Sequence, residues 1–140
     1  MAARDFRSRQ DINTFSQVVV PGPVGSVQVI RTDFGDIGSK TGVDNFYTVT
    51  SGTILTIQIL LGGSESSTGG SIIEIFDDPN GDLSILNRLS TLFVNGTSDE
   101  QIVNQILVGD GTRRVVLRRR TYTNSNREMF AQWIGFEVTT

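Results

Sequence analysis

The clearest periodicity in the chain lies over residues 53–61. On an extended backbone, Leu55, Ile57, Ile59 and Leu61 share one face there, while Thr56 and Gln58 share the other with Leu60. A period of two is the signature of a strand with one face in a core. Shorter runs of similar character recur over residues 17–20, 26–31, 46–50, 71–76 and 101–108, each bounded by turn-forming residues. Pro21-Gly22-Pro23 breaks sheet pairing after the first run. The glycine-rich DFGDIGSKTG, residues 33–42, ends the second, and DDPNGD, residues 77–82, ends the strand over 71–76. Ser51-Gly52 predicts a tight hairpin turn between 46–50 and 53–61. The stretch GGSESSTGG, residues 62–70, predicts a flexible loop. At the carboxyl end, residues 113–123 and 128–138 flank Asn124-Ser125-Asn126 and predict a further hairpin.

Between residues 83 and 108 two patterns compete. Ile85, Leu89 and Leu92 have helical spacing, and Ser98 with Gln101 could form a capping box before Ile102, Val103, Ile106 and Leu107. Against a helix, Asn95-Gly96 is a hairpin dipeptide, and Gly109-Asp110-Gly111 more naturally joins two strands. Strands are expected in both places, because their neighbours are strands. The chain therefore reads as all-β: a single β-sandwich or jelly-roll-like domain over 17–140, preceded by an extended N-terminal arm over 1–16. No repeat of fixed period points to a propeller or solenoid. The arm is polar and aperiodic and carries Arg4, Arg7 and Arg9, so it is expected to order against a partner, a frayed terminus being the alternative.

Composition narrows the chemistry. The 140 residues contain no cysteine and no histidine. Disulfides and thiolate metal sites are thereby excluded, as are the usual general base near neutral pH, the Ser-His-Asp triad and histidine-ligated zinc. An enzyme would have to rely on carboxylates. No catalytic residue, metal or cofactor is expected. Asp33-Phe34-Gly35 and Gly38-Ser39-Lys40-Thr41 echo nucleotide-enzyme motifs, but without the surrounding elements that those motifs require. Asp78, Asn80 and Asp82 alternate like calcium ligands, yet the glycine is out of place and Leu89 stands where the bidentate acid belongs. Asp77 and Asp78 are adjacent and would point to opposite sides of a strand. Residues 1–16 lack the apolar segment of a secretory leader, and residues 54–61 are too few to cross a bilayer, so neither export nor a membrane partner is expected.

Charge supplies the informative feature. Five of the eleven arginines, Arg113, Arg114, Arg118, Arg119 and Arg120, fall within eight positions of a chain whose net charge is −3. Without those five positive charges the remainder carries −8. On a strand, Arg114, Val116, Arg118 and Arg120 share one face; Arg113, Val115, Leu117 and Arg119 share the other. Val115 and Leu117 should face the core, with the arginines on their side reaching out at the strand ends. Guanidinium is chosen over the ammonium of lysine, of which there is one, and it suits bidentate contacts with carboxylates. Those carboxylates could lie in the same subunit. The expectation preferred here is an acidic face on a protein partner, a second copy of the chain included, so Arg114, Arg118 and Arg120 join Arg4, Arg7 and Arg9 as candidate interface residues. Nucleic acid is not expected, because the chain is acidic and no aromatics are interleaved with the arginines.

In the strand over 128–138, Met129, Ala131 and Trp133 alternate with Phe130, Gln132, Ile134 and Phe136. Both faces are largely apolar, so the strand is either buried on both sides or covered in part by another subunit. Trp133 is expected in the core.

The succession of a polar arm, TVTSGTILTIQILL, GSIIEIFDDPNGD, VGDGTRRVVLRRR and REMFAQWIGFEV resembles the small all-β decoration (cement) proteins and related fibre-associated domains of tailed bacteriophages, over roughly residues 45–138. The resemblance implies a jelly-roll-like homotrimer at the capsid surface, with the major capsid protein or another virion protein as partner. It transfers no site residue. The expected function is that of a non-enzymatic virion structural protein, which binds and stabilises a capsid surface through its arm and arginine-rich strand. The alternative is a carbohydrate- or receptor-binding β-sandwich of a tail fibre. That role needs an exposed aromatic beside Asn, Asp or Arg in a concave surface.

Overall fold

Eight antiparallel strands make up the fold in a computed structural model that describes residues 22–65, 69–94 and 99–140. The strands are β1 (Val27–Ile37), β2 (Gly42–Thr48), β3 (Thr53–Ser64), β4 (Ser71–Asp78), β5 (Asn87–Val94), β6 (Asp99–Val108), β7 (Arg114–Thr121) and β8 (Arg127–Thr139). No helix occurs among the described residues. The arm over 1–16, the strand expected over 17–20 and the Asn95-Gly96 turn lie outside them.

The strands form two four-stranded sheets, β1-β8-β3-β6 and β2-β7-β4-β5. Along the chain every connection but β4–β5 crosses from one sheet to the other, which is the winding of a jelly roll. The expected all-β sandwich is therefore present, and the 83–108 stretch contributes strands. Three expected hairpins are not hairpins. The turns at Ser51-Gly52, Gly109-Asp110-Gly111 and Asn124-Ser125-Asn126 each connect strands of opposite sheets. Turn residues mark a reversal of the chain; they carry no information on which sheet receives the next strand.

Two glycine-rich stretches are strand rather than loop. Residues 33–37 complete β1, and Gly62, Gly63 and Ser64 complete β3. Gly62 is required by the approach of the sheets: a Cβ there would lie 2.1 Å from Ile73 Cδ1 and 2.6 Å from the Phe130 carbonyl oxygen. A β-bulge between Ile57 and Ile59 reverses the side-chain alternation of β3. Leu55, Ile57 and Leu60 consequently face the core, whereas Ile59 and Leu61, expected beside them, lie on the outer face of the sheet.

The core between the sheets is built on fully buried Trp133, with Leu55, Ile57, Leu60, Ile73, Ile75, Val115, Leu117 and Met129 around it. Tyr47 of β2 packs edge-on against Trp133, with ring centroids 5.5 Å apart. Its hydroxyl donates to Glu137 Oε1 of β8 at 2.8 Å.

Candidate interaction surfaces

Arg114, Val116, Arg118 and Arg120 do share the outer face of β7, but their acidic partners stand on the neighbouring strands of the same chain. Arg118 lies directly opposite Asp44 of β2 and Glu74 of β4 in the sheet register. Its Nε and Nη2 donate to the two Asp44 oxygens at 2.7 and 3.0 Å. That hydrogen-bonded pairing raises the guanidinium pKa above its ordinary value, against the opposing effect of partial burial. Arg114 donates through Nε and Nη2 to Asp78 Oδ2 at 3.1 and 2.9 Å. Arg120 and Arg88 hold the two oxygens of Glu74, each at 2.8 Å. The intrachain cross-strand pairing weighed in the sequence is thus what the geometry contains.

These arginines also form a covering layer. Glu74, Asp78, Phe76, Ile72 and Val116 belong to the outer face of their sheet, yet all are buried. The Arg118 and Arg88 guanidinium carbons lie 5.0 and 5.8 Å from the Phe76 ring centroid, and that of Arg114 lies 4.0 Å from the Phe46 centroid. The long stems and planar heads cover the centre of the sheet, while Phe93 at the β5 edge stays open.

Two cluster arginines point the other way. Arg119, expected to reach out at a strand end, stays inside at 3% exposure. Its Nε and Nη2 donate to Asp33 Oδ2 of β1, and its Nη1 donates to the carbonyls of Gly35 and Met129. Every donor it carries toward the opposite sheet meets oxygen, which is what makes its burial tolerable. Arg113 is held by Asp77 Oδ1 at 2.9 Å. Asp77 and Asp78 therefore serve as partners for Arg113 and Arg114 on opposite sides of the strand end. Among the described residues, no group of three or more Asp or Glu is placed to hold a metal ion.

Gly42, Asp44, Phe46, Arg118 and Arg120 line an open depression of about 560 Å³ on this sheet. Phe46 is partly exposed there, beside Asp44 and Arg118. Asp44 is already occupied by Arg118, while Arg120 commits Nε alone to Glu74.

The other sheet has no such cover of charge. Register places Ile30, Ile134, Ile59 and Ile102 in one row across β1, β8, β3 and β6 on the outer face. On one side of it the outer rows bring Phe136 beside Thr56 and Ile106, then Val138 beside Ile54 and Val108. On the other side comes a mixed row of Thr32, Gln132, Leu61 and Glu100, in which Gln132 Nε2 donates to Thr32 Oγ1, and beyond it Phe34 beside Phe130. Ile59, Leu61 and Ile134 are buried among their neighbours, with Phe130 packed on them, and Gly22 sits against the Phe136 ring. The flanks are open: Ile30 is 50% exposed, Phe34 64%, Ile102 72%, Ile106 66% and Val108 58%. Charge is confined to one half of the face. Asp36 stands directly opposite Glu128, and Glu65 accepts a hydrogen bond from the Glu128 amide. Glu100, at the β6 edge, has its carboxyl pushed up by burial and by neighbouring Asp99.

The sequence signalled this surface only through the two apolar faces of β8. It did not show that the outer residues of β1, β3 and β6 extend the same surface, because that depends on register and on the β3 bulge. Arg4, Arg7 and Arg9 lie outside the described residues.

No family model matches the chain, and no curated protein matches it either. Among solved structures, it is similar to the Yersinia pseudotuberculosis-derived mitogen, at 8% identity and a TM-score of 0.47, over 76% of this chain and 86% of that one.

Proposed function

We propose that the chain is a non-enzymatic structural protein of a virion, an assembly subunit that completes its surface against other protein at the capsid. The observation that carries this reading is the contrast between the two outer sheet faces. One is largely covered by its own arginines, with only Phe93 and Phe46 open among its outer apolar side chains, and the other presents apolar side chains across all four strands. Contiguous apolar surface of this kind marks protein contact. The resemblance to phage decoration proteins supplies the setting. In this reading the apolar sheet face takes the role first given to the arginine strand, and the arm with Arg4, Arg7 and Arg9 reaches the shell.

The test is co-sedimentation of the purified full chain with tailed-phage capsids stripped of their surface proteins, run beside a glycan array. Saturable binding to capsids is expected, with no glycan retained. A second reading, the carbohydrate- or receptor-binding fibre module, is favoured by one observation: Phe46, Asp44 and Arg118 meet in an open depression. Glycan binding that is lost in Phe46→Ala, without capsid binding, overturns the first reading in favour of the second.

A further inference from the structure

We infer that the outer face of the β1-β8-β3-β6 sheet packs on the same face of a second copy of this chain, about a two-fold axis that lies in the interface perpendicular to the strands. The inference rests on the assembly reading above and names the occupant of its apolar face.

Three observations converge on a second copy. The first is extent. Four strands at about 4.8 Å spacing, and five outer rows about 7 Å apart, give a face of roughly 500 Å². Two copies together bury about 1,000 Å², the lower bound for a specific interface and above what crystal packing contacts usually bury. The second is composition. The row Ile30, Ile134, Ile59 and Ile102 is apolar from edge to edge, so it offers a partner no hydrogen bond or charge to satisfy. An identical row meets that demand fully, and sheets packed face to face interdigitate such side chains across about 10 Å.

The third is the placement of charge, which selects the axis. Asp36, Glu65 and Glu128 stand at one end of the face and Glu100 two rows in from it at the β6 edge, while the row Val138, Ile54 and Val108 at the other end carries none. A two-fold axis parallel to the strands would set the acidic end of one copy on the acidic end of the other. An axis perpendicular to them sets it over the uncharged row and separates the like charges.

The experiment is sedimentation equilibrium of the full chain and of three variants, with shell binding measured in parallel on the same capsids. Ile102→Lys and Ile106→Lys each place a charge on an exposed position of edge strand β6, where the fold tolerates it. Phe93→Lys alters an equally exposed apolar residue of the other sheet and serves as the control. Unmutated protein and Phe93→Lys are expected to be dimers. The two isoleucine variants should dissociate with a constant raised about 100-fold, while Trp133 fluorescence stays that of the folded chain. Should either lysine variant fail to fold, Ile106→Thr tests the same position with a residue that suits a strand.

An unmutated chain that remains monomeric, or a trimer or dimer indifferent to Ile102→Lys and Ile106→Lys, overturns the pairing. A monomer that still binds capsids overturns the pairing alone. A dimer that binds no capsid leaves the pairing intact and overturns the virion reading.

Discussion

Arg119 crosses the sandwich from β7 to Asp33 on β1, with Nε and Nη2 at 3.1 and 2.9 Å from one carboxylate oxygen. The pair ties the two sheets together at the end remote from the Tyr47–Glu137 contact. Removing one partner strands a charge where water has little access. Arg119→Ala is expected to cost about 3–5 kcal/mol in urea denaturation. The Arg119→Met/Asp33→Leu double variant should recover much of that loss, because no unpaired charge then remains. A loss below about 1 kcal/mol for Arg119→Ala would mean that the pair does not fasten the sheets.

Glu74 is buried on the outer face of its sheet and held by Arg88 and Arg120, both partly exposed. Either arginine alone keeps the carboxylate paired, so Arg88→Ala and Arg120→Ala should each cost about 1 kcal/mol. Together they should cost more than the sum by about 1–3 kcal/mol, since the carboxylate is then left unpaired. A double-mutant cycle that closes additively would rule out a shared role.

The bulge in β3 makes a prediction about two isoleucines two residues apart. Ile57→Ala removes a side chain fully buried between the sheets and should cost about 2–4 kcal/mol. Ile59→Ala alters the outer face and should cost about 1 kcal/mol less in the dissociated chain, while weakening self-association, which Ile57→Ala leaves in place in whatever fraction folds. Equal stability losses with unchanged association would put both residues on one side.

Tyr47 predicts an alkaline transition. Burial first, and then its hydrogen bond to Glu137 and that residue's negative charge, push the phenol from 10.0 up to about 12. The folded chain therefore keeps a proton that the unfolded chain releases. This contribution to stability is whole below pH 10 and falls away between pH 10 and about 12. Urea midpoints taken across that window should decline less steeply in Tyr47→Phe. Parallel slopes for the two proteins would contradict the assignment.

The strands were legible wherever alternation was regular, as over Thr53–Ile57 and Ser71–Phe76. The inward face of Val115 and Leu117, and the burial of Trp133, followed from the same alternation. What failed to show was information carried by partners distant in sequence. Asp77 and Asp78 lie 36 positions before the arginines that they bind, and Asp33 lies 86 before Arg119. Local composition therefore displayed a positive patch with no visible counter-charge. The glycines at 62 and 63 likewise read as loop, because the requirement for them comes from Ile73 and Phe130 on other strands. The bulge at Gln58 left no mark in the pattern, since Ile59 and Leu61 are apolar on either face.

The place of β8 has a consequence for synthesis. It is the last strand made, yet it lies between β1, the first described strand, and β3. Until β8 has left the ribosome, β1 has no partner in its sheet and β3 can pair only with β6. The nascent chain thus carries the inner and outer apolar residues of an incomplete sheet until β8 has emerged, while β4 and β5 can already pair as neighbours in sequence. A ribosome stalled short of residue 127 would hold a chain that cannot close its sandwich. The most hazardous interval for aggregation is thus the one before β8 emerges.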